Sequence, residues 1–293
     1  MNNKIVKVLE YFLFFAYYPT SDEIYTFLET KISKNSLNIK LKKMVGLKEI
    51  QGYSVNNIKR YTVGEYGINK IKDQKSKIKN SEKKLNNWRF RAYKRLIYLF
   101  PQIKLVGLSG SVSMMNANKN DDIDLFIITA NNRLFTGRLI SLFLAQILGL
   151  RRTRGSNQEI SKNKICLNLF FDERDLMVPK FKRTRFVGHE VLQMKPIINK
   201  QGTYERFLAS NKWVFELFPN AKQIFNFQFS IFNEKFKIKN DKLGDWIESQ
   251  LKRFQLNIIN RHRTSEIITS SQLWFHPDDF EKKLSQLDNT DSI

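Results

Sequence analysis

The sequence predicts an α+β protein of several parts, and three observations carry that expectation. Residues 1–72 read as helices closed by a β-hairpin, residues 101–188 hold apolar runs with strand alternation, and residues 189–293 return to helical periodicity. The 293 residues suffice for one large domain or two to three small ones. An apolar fraction of 42%, with 24 Phe and 10 Tyr, indicates a folded chain.

An apolar helix over residues 4–17 opens the first part and stops at Pro19. "TSDE" supplies an N-cap and first-turn acids for a second helix reaching about Ile32. In "SKNSLNIKLKKMVGLKEI", Leu37, Leu41, Met44 and Leu47 keep helical spacing, with Lys40, Lys42 and Lys43 toward the other side. "IQGYSVNNIKRYTVGEYG" places two Tyr/Val-containing runs around Asn56-Asn57, a hairpin signal. Three helices and a hairpin in this order, ending in "YTVGEYG", resemble a winged helix-turn-helix. That resemblance implies either nucleic-acid contact or a module that orients its neighbour.

Residues 73–100 read as a charged linker running into an amphipathic helix that Pro101 stops. Trp88, Tyr93 (or Ala92), Leu96 and Leu99 form its expected apolar stripe. Lys and Arg with interleaved aromatics make nucleic-acid contact through residues 1–100 one expectation; a solvated face is the other.

The centre of the chain carries the chemistry. In "GLSGSVSMMNANKNDDIDLFIIT" a Gly-Ser pair precedes three close aspartates and an apolar run. If "DDIDLFIIT" is a strand, Asp122 and Asp124 share one face, roughly 7 Å apart, and repel each other unless a cation lies between them. Hard carboxylate oxygens on a fixed strand suit Mg²⁺, with Mn²⁺ as a substitute, and leave positions for water and phosphate. "LVGLSGS" reads as the preceding strand, turning at Gly110, where backbone amides can approach an anion. Ser111 adds a hydroxyl, and a helix beginning at "VSMM" would aim its positive end at a phosphate. Asp121 faces away on this strand reading and is expected as a bystander or loop cap.

Gly110, Ser111, ten residues, then Asp122, Ile123, Asp124 and Leu125 resemble the signature of the nucleotidyltransferase superfamily, the DNA polymerase beta-like fold. The resemblance covers about residues 101–175. It implies a mixed sheet with flanking helices and transfer of a nucleoside monophosphate from a nucleoside triphosphate to an acceptor hydroxyl, with release of pyrophosphate. Gly110 and Ser111 would hold phosphates, and Asp122 and Asp124 would ligate Mg²⁺. The acceptor, whether protein, small molecule or RNA, is left open.

That superfamily usually adds a third carboxylate from a later strand. The matching strand here is "KICLNLFF", with Asn168 at its centre; an amide oxygen can coordinate a metal but cannot act as a base. Asp172 shares the strand parity of Asn168 and lies beyond the site. The alternative to catalysis is a nucleotide-sensing or DNA-binding regulator without turnover. Arg151, Arg152 and Arg154 offer guanidinium forks to phosphate or nucleic acid, or a basic helix end to solvent. His189, His262 and His276 are too scattered for a metal set.

The last part reads as helical, in "YERFLASNKWVFELFPN" and in "KLGDWIESQLKRFQLNIINRHRT", where Leu243, Trp246, Ile247, Leu251 and Phe254 keep helical spacing. The net charge of +22 divides as +6 over residues 1–72, +7 over 73–100, +7 over 101–188 and +2 over 189–293. A basic excess in the first two thirds suits a polyanionic partner or substrate, or a solvated basic surface. Cys166 is the lone cysteine, which excludes a disulfide framework and points to the reducing cytoplasm. An acid inside the first apolar stretch argues against a secretory signal. "RLFTGRLISLFLAQILGLRR", interrupted by Arg138 and Gln146, reads as a largely buried helix, so no stable membrane insertion is expected. No Walker loop or dinucleotide fingerprint occurs, which weakens ATPase and dehydrogenase readings.

Overall fold

Three helices open the chain: α1 (Asn2–Phe14), α2 (Ser21–Phe27) and α3 (Lys34–Gly46). In the computed structural model, which describes residues 1–64, 68–152, 162–225, 242–261 and 266–275, each begins where the local chemistry allows. Thr20 forms a capping box with Glu23, and the Ser33 hydroxyl accepts from Ser36 N–H; such caps contribute about 1 kcal/mol each. Leu37, Leu41 and Met44 are buried on α3 as expected, whereas Leu47 lies beyond the helix and is exposed. A hairpin follows, β1 (Gln51–Val55) with β2 (Ile58–Thr62). Asn56 and Asn57 turn it with φ of 50° and 63°, the two left-handed residues of a type I′ turn. Residues 65–67, at the end of the expected wing, lie outside the described residues.

Next come α4 (Ile68–Leu85) and α5 (Trp88–Tyr98). The expected charged linker is therefore a helix, and it begins before residue 73. Its buried stripe is polar: Gln74, Lys77, Ser81 and Lys84. Apolar periodicity has nothing to register there, because Lys77, Ser81 and Lys84 are held by hydrogen bonds. Lys77 donates to the Ala16 carbonyl at 3.1 Å, and Ala117 N–H donates to Ser81 Oγ at 3.0 Å. On α5 the buried stripe is Phe90, Tyr93 and Ile97, while Trp88 and Leu99 are 68% and 70% exposed. The proposed stripe was thus right only at Tyr93: Asn87 caps the helix so that Trp88 begins it on the solvent side.

The remaining elements are β3 (Ile103–Leu108), α6 (Gly110–Ser113), β4 (Ile123–Thr129), α7 (Leu134–Ile147), β5 (Ile165–Asp172), a 3-10 turn (Lys180–Lys182), α8 (Arg185–Gln193), β6 (Lys195–Asn199), α9 (Thr203–Ser210), α10 (Trp213–Leu217), α11 (Ala221–Phe225), α12 (Lys242–Asn260), β7 (Ile267–Ile268) and β8 (Gln272–Trp274). The large sheet has the order β6-β3-β4-β5-β8-β7, with β4 and β5 parallel and every other pair antiparallel. The stretch expected to be helical after residue 189 thus supplies three of its six strands. These strands are short, and β6 carries Pro196 at an edge, so neither alternation nor length marked them.

Strand alternation sorts the core into two layers. Leu105, Phe126, Ile128 and Phe171 join α1, α2, α8 and α9 in one cluster, whereas Val106, Ile123, Leu125, Ile127 and Phe170 join α5 and α7 in the other. Leu134, Phe135, Leu144 and Ala145 of α7 are buried, but Leu139, Phe143 and Ile147 are exposed, so this helix is buried on one face only. On α12 the buried side chains are Glu248, Gln255 and Ile259, while Leu243, Trp246 and Phe254 face outward. Glu248 accepts from the Phe135 and Thr136 amides at 2.7 and 2.9 Å, capping the start of α7. Among the described residues no helix is long and apolar enough to cross a membrane.

The first three helices are anchored to the sheet layer. His189 of α8 is fully buried and stacks on Tyr11 and Phe27 at ring separations of 3.7 and 4.1 Å. Asn220 satisfies Ile32 N–H and the carbonyls of Leu28 and Thr30.

Candidate functional site

Asp122 precedes β4 and Asp124 lies within it, both on the face that carries Phe126 and Ile128. The turn leaving β3 passes directly beside them. Gly110 has a φ of +59°, and a Cβ built there would fall 2.5 Å from Asp124 Oδ2. The Gly-Ser turn and the acid pair are therefore in direct apposition. Ser109 N–H donates to the Asp124 carbonyl at 3.1 Å and fixes their register. α6 starts at Gly110 rather than at Val112 and is a single turn, too short for the helix-end field the sequence suggested. The Glu190 carboxyl of α8 comes close enough to the Gly110 backbone for that group to act on it, lowering it against the stronger effect of burial.

Asp121 takes the loop-cap role. Its Oδ2 accepts from Ser111 Oγ at 3.1 Å and from Asn118 N–H at 2.8 Å. Lys84 anchors the same loop from α4, donating to the carbonyls of Lys119 and Asp121 at 3.1 and 2.6 Å and to Asn163 Oδ1 at 3.2 Å. Burial pushes the Lys84 ammonium below its usual value, against the pull of Asp121 and Asp122.

On the parallel neighbour, Cys166 is the register partner of Asp124 and Leu167 that of Leu125, but Phe126 pairs with Leu169. Asn168 is therefore the extra residue of a β-bulge, a device that re-aims a side chain next to a site. Its Nδ2 lies 3.4 Å from Asp124 Oδ1. The bulge also changes the parity of everything beyond it, so Phe171, not Phe170, shares the site face. Asp172 lies at the far end of β5, buried and paired with Arg174 at 2.9 Å, clear of the site.

Among the described residues, Asp122, Asp124 and Cys166 form a group whose ligand atoms all lie within 4.8 Å of one another. Arg152 closes it, with Nη1 2.5 Å from Asp122 Oδ2 and 3.4 Å from Cys166 Sγ. Burial acts to lower the Arg152 guanidinium, but Asp122 and Cys166 outweigh it and hold it above its usual value. Desolvation, then the charges of Asp122 and Glu190, push the Asp124 carboxyl well above the ordinary range. Desolvation pushes the Cys166 thiol up as well, and burial brings Glu190 to about 7.

A cavity of about 990 Å³ opens from this cluster. Its polar end holds Gly110, Ser111, Asp122, Asp124, Asn168 and Glu190, and Phe15, Met114 and Phe186 line its apolar flank. Arg151 and Arg152 both line it; Arg154 lies outside the described residues, as do His262 and His276. His189 is a core residue, held neutral by burial and by Arg185. Glu190 was missed by the sequence reading, which placed it at the start of a helical region with no motif around it. Cys166 was read only for its redox meaning.

No family model matches the chain, no curated protein matches it, and no solved structure matches its fold.

Proposed function

We propose that the chain is a nucleotidyltransferase that moves a nucleoside monophosphate from a nucleoside triphosphate to an acceptor hydroxyl. The observation that carries this reading is the apposition of the Gly110–Ser111 turn with Asp122 and Asp124 on one strand face, at the polar end of a large cavity. The donor set suits Mg²⁺ or Mn²⁺: two carboxylates at hand and an amide on the bulge beside them. Asp122 and Asp124 would hold the ion, which would supply positive charge to offset the negative charge developing on the leaving pyrophosphate.

The protein's own groups supply the rest. Gly110 N–H, which lines the same cavity as Glu190, donates to a phosphate oxygen. Arg152 leaves Asp122 and pairs with the triphosphate, for which its fork is suited. The acceptor oxygen bonds to the α-phosphorus as the α–β bridging P–O bond breaks, and the acceptor proton passes to Glu190. A carboxyl brought to about 7 is well matched to that role, which Asn168 cannot fill. The order of α1, α2, α3, β1 and β2 fits a winged helix, and α3 exposes Lys34, Lys42 and Lys43, which we assign to nucleic-acid contact.

Incorporation of label from α-³²P nucleoside triphosphates into a mixed acceptor pool tests the reading. Transfer should require Mg²⁺ or Mn²⁺ and vanish in Asp122→Asn. One observation favours a second reading, binding without turnover: Asn168 stands where a third strand carboxylate is expected. Triphosphate binding with no transfer to any acceptor would decide for that alternative.

A further inference from the structure

We propose that Cys166 makes this cation site selective: a thiophilic divalent ion of the zinc class binds through both carboxylates and the Cys166 thiolate, and holds the site against Mg²⁺. The inference rests on the reading that Asp122 and Asp124 form a cation site, and it deepens that reading by naming what regulates it.

Register provides the first argument. Cys166 pairs with Asp124 across parallel strands, so the two side chains leave the sheet on the same face. Their ligand atoms and that of Asp122 lie within 4.8 Å of one another. Zinc bonds of about 2.3 Å to sulfur and about 2.0–2.2 Å to oxygen span almost that distance, so small rotamer changes close the site. Three protein ligands with a fourth position open to the cavity is the arrangement of a zinc centre that still admits water or substrate.

Charge provides the second. Arg152 already sets a cationic group between Asp122 Oδ2, at 2.5 Å, and Cys166 Sγ, at 3.4 Å. The position between the acid and the sulfur is thus built for positive charge, and an ion entering it displaces the guanidinium. Mg²⁺ draws on oxygen donors alone, whereas a thiolate favours softer ions, so the two classes use the same acids in different sets. The thiophilic ion binds sulfur as the thiolate and releases its proton to solvent, one per ion. With three protein ligands engaged, such an ion keeps Mg²⁺ and its bound triphosphate out, and turnover falls as its concentration rises.

Co²⁺ is the probe that tests this. Cys166 is the only cysteine in the chain, so any thiolate-to-cobalt charge-transfer band reports this site alone. Titration of the full-length protein should give a saturable band at one Co²⁺ per chain. The band should be absent in Cys166→Ser and Cys166→Ala, and at least about tenfold weaker in affinity in Asp124→Asn, with far-ultraviolet circular dichroism confirming that each variant folds. Zn²⁺ should bleach it at stoichiometric concentration, and Mg²⁺ at the same concentration should not. The proposal is overturned if the wild-type protein gives no band, or if the band keeps its affinity in both Asp122→Asn and Asp124→Asn. The readout needs neither nucleotide nor turnover, so its failure leaves the transferase reading standing, and failure of label transfer leaves a positive cobalt result standing.

Discussion

Substituting Gly110 by Ala separates the cost of folding the turn from the cost of misplacing the site. The backbone there sits at φ +59°, which costs a residue bearing a Cβ about 1–2 kcal/mol. The new methyl would also stand 2.5 Å from Asp124 Oδ2, under the 3.0 Å that Cβ contacts essentially never breach. The carboxylate has to retreat by roughly half an ångström or more. Misplacements approaching 1 Å at a reacting centre cost on the order of 10²-fold. Gly110→Ala should therefore unfold in urea with a loss of only about 1–2 kcal/mol. Its Mn²⁺ affinity and label transfer should fall far more than that loss explains. A variant that loses the stability yet keeps both functions would refute the reasoning, because Asp124 would then tolerate displacement.

Three other substitutions test the supports of the site. Lys84→Met leaves the carbonyls of Lys119 and Asp121 without their donor, so it should cost about 1–3 kcal/mol in urea unfolding and weaken Mn²⁺ binding; unchanged metal affinity would mean the loop holds itself. His189→Ala removes a ring stacked between Tyr11 and Phe27 and should destabilise by about 3–5 kcal/mol, whereas a loss below about 1 kcal/mol would show that the stack is not a structural joint. Glu190, brought to about 7 from an ordinary 4.5, holds its proton more tightly folded than unfolded. Its contribution is full below 4.5 and is lost as pH rises toward 7, so without metal the melting temperature of the wild type should descend across that window more than that of Glu190→Gln. Parallel profiles would remove the assignment.

The acid pair and the Gly-Ser turn were legible because strand alternation and a left-handed glycine leave direct marks on sequence. Asn168 was found for a reason that geometry then altered: a bulge aims it at Asp124, and no periodicity announces an extra residue in a strand. The hairpin turn at Asn56-Asn57 was equally plain. α4 was opaque because its buried face is Gln74, Lys77, Ser81 and Lys84, residues that usually signal solvent. On α12 a similar inversion occurs, with Glu248 and Gln255 buried by their bonds to α7 and Leu243, Trp246 and Phe254 turned outward. Glu190 reaches the site by the packing of α8 against the turn, a tertiary fact without a local signature.

The central claim is that Asp122 and Asp124 hold the divalent ion through which a triphosphate binds beside Gly110. Calorimetric titration of a nucleoside triphosphate into the wild type and into Asp124→Asn, each with and without Mg²⁺, tests it most directly. Asp124 is pushed well above the ordinary range by desolvation, Asp122 and Glu190, so the amide variant should fold at least as stably as the wild type. The account predicts tight binding only for the wild type with Mg²⁺, falling on the order of 10²-fold or more in the variant or without metal. Binding of equal strength with and without Mg²⁺, or undiminished in Asp124→Asn, would contradict it.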